Sequence, residues 1–319
     1  MNKRIFVKVA DVASFPCDVL VLKFAQGFYG ADEFVATKLS SSPVQDVQPR
    51  PGKYVLLPTN GKVAAKSVLF VGVPPLYRFD YSQIREFAAD ALQILRGQMP
   101  NAAHVAMTIH GVGYGLDERE SFLAQLAGIL DAFWVGSAPS ALERITIVEK
   151  NRGRASRLRK ILEEKLPPKS SSAGSRSTKQ IPRVPRISAG RRSKEKPHVF
   201  VAMPFGADME DVYIFGIQGP VNGAGFLCER VDMAAFTGDI LARIKSRIET
   251  AALVIADLTG ANPNVYLEVG YAWGKNRSTL LLSKQSDELK FDVKGQRTLL
   301  YKSIADLAKK LEADLAALK

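Results

Sequence analysis

The stretch LVIADLTGANPNVYLEVGYAWG, residues 253–274, decides the fold of the C-terminal part of the chain. Its first six residues, LVIADL, are almost purely apolar, which is typical of a central parallel strand covered on both faces. Asn262 followed by Pro263 predicts the start of a helix, because asparagine caps helix N-termini and proline is favoured at the first helical position. A buried strand, a loop and a capped helix in succession indicate an α/β sheet.

The sequence on both sides continues this alternation of strands and helices. Further strand-like runs are HVFVAM (198–203), GFLCERVD (225–232), STLLLS (278–283) and TLLYK (298–302). Helical patterns lie between or after them, most clearly at residues 238–251 and 303–318. We therefore predict a flavodoxin-like, doubly wound parallel-sheet domain over residues 197–319.

A basic connector precedes this domain. Residues 167–196 are rich in Ser, Pro, Gly, Lys and Arg and contain few core-forming side chains, which predicts a flexible linker. Residues 151–196 hold fifteen Lys and Arg against three Glu, an excess that equals the formal net charge of +12 of the whole chain. Since this segment has no aromatic residue on which bases could stack, the charge favours a solvated connector over a specific nucleic-acid site.

The N-terminal 166 residues form a second predicted α/β domain. Strand-like runs occur at 5–10, 18–24, 54–58, 67–73, 104–110 and 145–149, and they are interspersed with helical patterns. The two cysteines, Cys17 and Cys228, are far apart in sequence, which suits a reducing compartment. With no signal-peptide pattern and no apolar run of about 18 residues, we expect a cytoplasmic protein without a membrane partner.

Candidate catalytic residues lie at the loops that leave the C-terminal strands. Glu268 and Asn264 are four residues apart and share one helix face, which we expect to look toward the strand ends, where Asp257 closes its strand. A carboxylate beside an anomeric carbon acts as a nucleophile or stabilises an oxocarbenium ion. Ribose and phosphate contacts are expected from Asp257, Asn262, Asn264 and the loop of Met203, Pro204, Phe205 and Gly206.

The motifs VFVAMPFG and IADLTGANPNVYLEVGYAWGK resemble the TIR-like branch of the nucleoside 2-deoxyribosyltransferase-like proteins. The resemblance spans residues 198–318. It implies that Glu268 is the catalytic nucleophile of a transferase, or the glutamate that supports cleavage of the nicotinamide–ribose bond of NAD in TIR enzymes. Asn262 stands where the transferases have an aspartate, which favours nicotinamide, a cationic leaving group, over a purine or pyrimidine.

The N-terminal domain contains a glycine-rich turn, HGVGYG, between a strand and a helix. As a simple tight connection this turn needs no ligand. The order of elements nevertheless resembles the macro-like N-terminal domain of leucine aminopeptidases and, more loosely, macro domains. That resemblance implies a nucleotide-type ligand at two loops, which contain Gln26, Gly27, Gly30, Gly111, Gly113 and Gly115. The three histidines are too scattered to predict a metal site.

These observations lead to three functional hypotheses. The first is a sensor–effector protein of bacterial antiphage or stress defence, whose C-terminal domain cleaves the N-glycosidic bond of NAD or a nucleotide without a prosthetic group. The second is a non-catalytic nucleotide-binding module that signals through ligand-driven assembly. We expect a homo-oligomer in either case. The third, in which the basic connector tethers nucleic acid, predicts binding that collapses as salt rises.

Overall fold

A computed structural model of the chain describes residues 4–39, 47–167, 186–231, 240–285, 293 and 295–317. The chain divides into two compact units. The first unit consists of Met1–Gly111 and Arg119–Ser193, and the second of Val112–Glu118 and Lys194–Lys319. Most of the predicted flexible linker, residues 168–185, lies outside the described residues.

The first unit is a mixed α/β structure. Its described residues form strands β1 (Ile5–Val9), β2 (Val19–Phe24), β3 (Tyr54–Pro58), β4 (Ser67–Gly72), β5 (His104–Thr108) and β6 (Arg144–Glu149). The helices are α1 (Ala31–Leu39), α2 (Tyr81–Gln98), α3 (Glu118–Trp134) and α4 (Arg152–Lys165), of which α3 begins with the last residue of the segment that belongs to the second unit.

The six strands form one sheet in the order β1-β6-β5-β2-β4-β3. Only β3, at one edge, runs antiparallel to its neighbour. Every residue of β2 is buried, as expected for a central strand with helices on both faces. From β2 the chain goes on to β3 and β4, whereas from β5 it goes on to β6 on the opposite side. The neighbouring carboxyl ends of β2 and β5 are therefore the topological switch point of this sheet.

The second unit alternates strands and helices more regularly. Its strands are β7 (His198–Ala202), β8 (Leu227–Glu229), β9 (Leu253–Asp257), β10 (Thr279–Lys284) and β11 (Thr298–Tyr301). Its helices in the described part are α5 (Ala207–Asp211), α6 (Gly219–Gly223), α7 (Ile240–Thr250), α8 (Pro263–Gly274) and α9 (Ile304–Ala316).

The strands of the second unit are all parallel and lie in the order β11-β10-β9-β7-β8. Numbered within the unit, this is the 2-1-3-4-5 order of flavodoxin-like sheets. One core, around Val201, Ile255 and Leu311, lies between the sheet and α6 and α9. The other, around Val254, Val265 and Ile248, lies under α7 and α8. The predicted α/β class and the doubly wound sheet are confirmed.

One element departs from the expectation of a plain helix after β7. Val212–Gln218 is a π-helix that continues α5 and leads into α6. π-Helical hydrogen bonds skip one residue more than α-helical ones, so the segment fits an extra residue into the helix. Its buried face, including Tyr213 and Ile217, packs into the core.

No helix among the described residues is long and apolar enough to cross a membrane. The same residues include no group of three or more His, Cys, Asp or Glu that could hold a metal ion.

Candidate active site

Helix α8 begins where the sequence predicts. Asn262 is its N-cap, and the side-chain Oδ1 accepts a 2.9 Å hydrogen bond from the backbone N of Asn264. Pro263 is the first helical residue. Gly260 and Ala261, with φ of 71° and 51°, turn the chain sharply just before the cap. The side-chain oxygen of Asn262 is thus engaged in fixing the start of the helix.

Asn264 and Glu268 lie together in a cavity of about 300 Å³ between α7 and α8. The opposite wall is formed by apolar side chains of α7, including Ile244 and Ile248. Glu268 therefore faces the neighbouring helix, and the expectation that its face looks toward the strand ends is corrected. The reason is that the next residue, Val269, packs into the core under α8. The face of the helix that carries Glu268 is therefore directed toward α7.

The carboxyl group of Glu268 lines this cavity and has a strongly shifted pKa. It is partly buried, and burial raises its pKa from the ordinary 4.5 to about 7. Loss of hydration has this effect because it disfavours the charged form. In the described part of the chain, no cation or hydrogen-bond donor pairs with this carboxyl to offset the loss. Near neutral pH, Glu268 is therefore close to half ionised.

Tyr271 and Lys245 also line the cavity. The Tyr271 hydroxyl donates a 2.5 Å hydrogen bond to Oε1 of Glu249, and Lys275 Nζ lies 2.7 Å from the same carboxylate oxygen. Lys245 Nζ lies 5.6 Å from the centroid of the Tyr271 ring, within the range of a cation–π contact. The Tyr271 hydroxyl is thus fixed by Glu249, and the exposed ammonium group of Lys245 lies near its ring.

Asp257 does not line this cavity. It is fully buried at the end of β9, where Oδ1 accepts a hydrogen bond from the backbone N of Thr259 and Oδ2 accepts one from the Tyr301 hydroxyl. Thr259 Oγ1 in turn accepts a hydrogen bond from the backbone N of Lys284. The predicted convergence of Asp257 with Asn264 and Glu268 is therefore absent from the cavity, and the carboxylate, with Thr259, joins the loop after β9 to the ends of β10 and β11.

The loop of Met203, Pro204, Phe205 and Gly206 follows β7 and also does not line the cavity of Glu268. Arg230, just after β8, contacts this loop: Nη1 lies 3.6 Å from Met203 Sδ, and the guanidinium lies 5.3 Å from the Phe205 ring centroid. It also lies 3.9 Å from the Tyr213 ring centroid. Gly206 caps α5, which has only five residues.

The predicted ligand residues of the N-terminal domain are divided between the two units. Gln26, Gly27 and Gly30 follow β2, and Gly111 lies beyond β5, all in the first unit. The side-chain amide of Gln26 donates to the backbone oxygens of Pro49 and Val73, at 3.3 and 3.1 Å. Gln26 thus joins three loops at the switch point of the sheet.

Gly113 and Gly115 belong to the second unit. Tyr114, between them, forms an antiparallel β-bridge with Val231. A Cβ atom on Gly115 would lie 2.9 Å from Val231 Cγ2, and its φ of 88° also favours glycine. Gly115 therefore permits close packing within this unit, and its predicted role in ligand binding stays a prediction.

The sequence did not identify the cavity-lining residues of α7 as part of the site, nor did it identify the loop contacts of Arg230 and Tyr301. The α7 wall has a detectable signal, because Ile240, Ile244 and Ile248 recur every four residues and form one apolar stripe. Arg230 and Tyr301 have no such signal, because each acts on a loop that is distant in sequence.

Comparisons with known proteins found similarity at the level of structure alone. No protein-family model matches the chain. No curated protein sequence matches it. A Trypanosoma brucei macrodomain in complex with ADP is 13% identical, with 50% of this chain and 69% of that chain covered and a TM-score of 0.41. An Oceanobacillus iheyensis macrodomain with ADPR is 14% identical, with 51% and 94% covered and a TM-score of 0.41.

A CMP N-glycosidase of Clostridium botulinum is 18% identical, with 36% of this chain and 98% of that chain covered and a TM-score of 0.30. The macrodomains are the class of protein that the sequence of residues 1–166 loosely resembles. The TIR-like and transferase-like resemblance of residues 197–319 stays a prediction.

Proposed function

We propose that the second unit cleaves the N-glycosidic bond of NAD or a related nucleotide, with Glu268 as the catalytic residue. One observation carries this proposal. The Glu268 carboxyl is partly buried, has no charge partner in the described part of the chain, and lines a mostly apolar cavity of about 300 Å³ with its pKa raised to about 7. Cavities of this size and character are typical of small-molecule sites.

Such a carboxylate is well suited to stabilise a developing positive charge. When the bond from C1′ to the base nitrogen breaks, C1′ acquires oxocarbenium character. An ionised carboxylate that lacks hydration and a cation partner interacts more strongly with that charge than with the neutral sugar of the ground state. This difference between the ground state and the transition state lowers the barrier.

The charges around the cavity favour a leaving group that departs without a proton. Among the described residues that line it, Glu268 is the only carboxyl, so no second acid is placed to protonate a departing base. In NAD the electron pair of the broken bond neutralises the pyridinium nitrogen, and nicotinamide leaves as a neutral molecule. Water then adds to C1′ and releases a proton, which gives ADP-ribose. No prosthetic group is required.

The other residues of the cavity have binding roles in this proposal. The Asn264 amide, one helical turn before Glu268, binds ribose hydroxyls. Lys245, at the rim, is placed to contact a phosphate group. Asn262 fixes the start of α8 and Asp257 fixes the loop before it, so both position the site without lining it. Substrate contacts by the loop of Met203 to Gly206 remain part of the proposal.

In this proposal the first unit binds a nucleotide and thereby regulates the activity of the second unit. In support, Gln26, Gly27 and Gly30 follow β2, and Gly111 lies beyond β5, at the switch point where α/β sheets bind ligands. A sensor joined to an N-glycosidase would suit bacterial antiphage or stress defence.

Product analysis by liquid chromatography and mass spectrometry tests the activity. Full-length protein, Glu268→Gln and Glu312→Gln would each be incubated with NAD and a panel of nucleotides, with and without small-molecule extract from stressed cells. Glu312 is an exposed carboxylate of α9 and serves as the matched control. We expect wild type and Glu312→Gln to release nicotinamide or a base, and Glu268→Gln to release none. Intact substrates throughout, despite measurable nucleotide binding, would instead establish the non-catalytic signalling module.

A further inference from the structure

The polar groups of the Glu268 cavity lie in a row along α8. Asn264 comes four residues before Glu268 and Tyr271 three residues after it, so the three share one helix face. Because an α-helix rises about 1.5 Å per residue, these steps correspond to about 6 Å and about 4.5 Å along the axis. Lys245 Nζ lies 5.6 Å from the centroid of the Tyr271 ring. An amide, a carboxyl and an ammonium group therefore follow one another along the cavity.

The Lys245 ammonium is available to an anion. The side chain is exposed, and in the described part of the chain no carboxylate pairs with it. Glu249, four residues later in α7, is bound instead by the Tyr271 hydroxyl and by Lys275. Burial alone raises the pKa of Glu268, so this carboxyl and the ammonium are not paired either. The contact with the Tyr271 ring positions the ammonium without neutralising its charge.

The wall opposite this polar row is aliphatic. Helix α7 contributes Ile240, Ile244 and Ile248, which recur every four residues and therefore form one stripe. These side chains have no hydrogen-bonding group, so a polar group buried against them would lose its hydration without compensation. The stripe can cover the flat face of a pyridine ring while the polar edge of that ring stays hydrated. A base attached to C1′ beside Glu268 would meet this wall.

The cavity offers little to the second nucleotide of a dinucleotide. Its volume of about 300 Å³ is at the lower end of the range of small-molecule sites. Among the described residues that line it, Lys245 is the single cation and Tyr271 the single aromatic residue. The ammonium groups of Lys245 and Lys275 already lie near the Tyr271 ring, at 5.6 and 5.5 Å from its centroid. Neither a second phosphate nor an adenine ring therefore finds a partner among these residues.

We propose that the substrate of this cavity is a pyridinium mononucleotide, with its single 5′-phosphate held by Lys245 and its ribose hydroxyls by Asn264. The inference rests on the proposed N-glycosidic cleavage and narrows the substrate from NAD-like nucleotides to the mononucleotide. The electron pair of the bond between C1′ and the ring nitrogen passes to that nitrogen, water adds to C1′, and a proton is released. The products are the neutral pyridine and ribose 5-phosphate. The adenylate half of NAD adds little to binding or to the rate.

Three substrates separate the contributions of these groups: nicotinamide mononucleotide, NAD and nicotinamide riboside. The measurement is kcat/KM for each of them with the full-length protein. We expect the mononucleotide to be cleaved at least as efficiently as NAD, and the riboside, which lacks the phosphate, about ten-fold less efficiently. Lys245→Gln should lower kcat/KM about ten-fold more for the mononucleotide than for the riboside, because the lost contact is with the phosphate.

Two further variants and a binding measurement complete the test. Lys245→Arg keeps a cation and should preserve the preference for the mononucleotide over the riboside. Lys309→Gln, at an exposed lysine of α9, is the matched control and should behave as wild type. Isothermal titration calorimetry of the mononucleotide with Glu268→Gln gives a readout that needs no turnover. Adding Lys245→Gln to that variant should weaken binding about ten-fold.

The outcomes separate this inference from the proposed function. Cleavage of NAD with the mononucleotide at least about ten-fold poorer would overturn the inference and leave the N-glycosidase in place. Equal cleavage of mononucleotide and riboside, or equal behaviour of Lys245→Gln and Lys309→Gln, would show that Lys245 holds no phosphate. Binding of the mononucleotide that depends on Lys245, without cleavage of any substrate, would support the site and overturn the proposed function. Absence of both binding and cleavage would overturn both.

Discussion

The hydroxyl of Tyr301 donates a 2.9 Å hydrogen bond to Oδ2 of Asp257, across the sheet from the end of β11 to the end of β9. The strand β10 lies between these two strands. Both side chains are buried, and together with Thr259 they hold the loop that leads into α8. The position of helix α8 thus depends on a pair of residues that do not line the cavity of Glu268.

Tyr301→Phe should lower the free energy of unfolding by about 1–3 kcal/mol, because Asp257 then keeps a buried carboxylate with one donor fewer. Urea denaturation of the full chain measures this change. Tyr54→Phe, an exposed tyrosine of β3, is the control and should have little effect. Equal stability of Tyr301→Phe and wild type would show that Asp257 does not rely on this hydroxyl.

The rate of N-glycosidic cleavage should rise with pH and level off above a midpoint near 7. In the proposed reaction the reactive form is the Glu268 carboxylate, and burial raises the pKa of this group to about 7, so its ionised fraction grows through that range. The measurement is kcat/KM for NAD between pH 5 and pH 9. A midpoint near the ordinary value of 4.5 would contradict the assignment of this carboxylate.

Glu268→Gln should stabilise the fold at high pH and leave it nearly unchanged at pH 4. The folded-state pKa of about 7 exceeds the ordinary 4.5, so the unfolded chain ionises first and wild-type stability falls as pH rises between these values. Above pH 7 the variant, which does not ionise, should gain up to about 3 kcal/mol relative to wild type. Denaturant midpoints at pH 4 and pH 8 test this. Glu312→Gln should show no such pH-dependent difference.

Asn264→Lys should lower the pKa of Glu268. An ammonium group one turn before the carboxyl favours its charged form, and we expect a decrease of about half a pH unit. A carbon-13 NMR titration of labelled glutamate carboxyls reads this pKa without requiring turnover. Asn264→Gln, which adds no charge, should leave the pKa of Glu268 unchanged. High salt should reduce the effect of the lysine, and an unchanged pKa at low salt would contradict the shared cavity.

Local patterns were enough to predict the elements of the second unit. Helix α8 begins at the predicted residue, because Asn262 and Pro263 mark its start without reference to the rest of the chain. Spacing alone also placed Asn264 and Glu268 on one face, and both line the same cavity. Strand β9 ends at Asp257, one residue before the predicted end.

Long-range packing explains what the sequence did not show. Asp257 looks like a ligand-binding acid until its partner Tyr301 is known, and the two are 44 residues apart. The direction in which Glu268 points depends on which face of α8 contacts the sheet and on where α7 lies. The π-helix at Val212–Gln218 depends on backbone hydrogen bonding that composition does not reveal.

Residues 112–118 make the second unit discontinuous in sequence. Within this segment, Oδ2 of Asp117 accepts hydrogen bonds from Asn222 Nδ2 and from the backbone N of Cys228, at 2.8 and 3.0 Å. A gene fragment that starts at residue 197, the boundary that the sequence suggests, would encode the unit without this acceptor and would leave a buried backbone N–H unpaired. A preparation that retains every part of the second unit must therefore begin at or before residue 112, and an inactive fragment that begins at residue 197 would say nothing about Glu268.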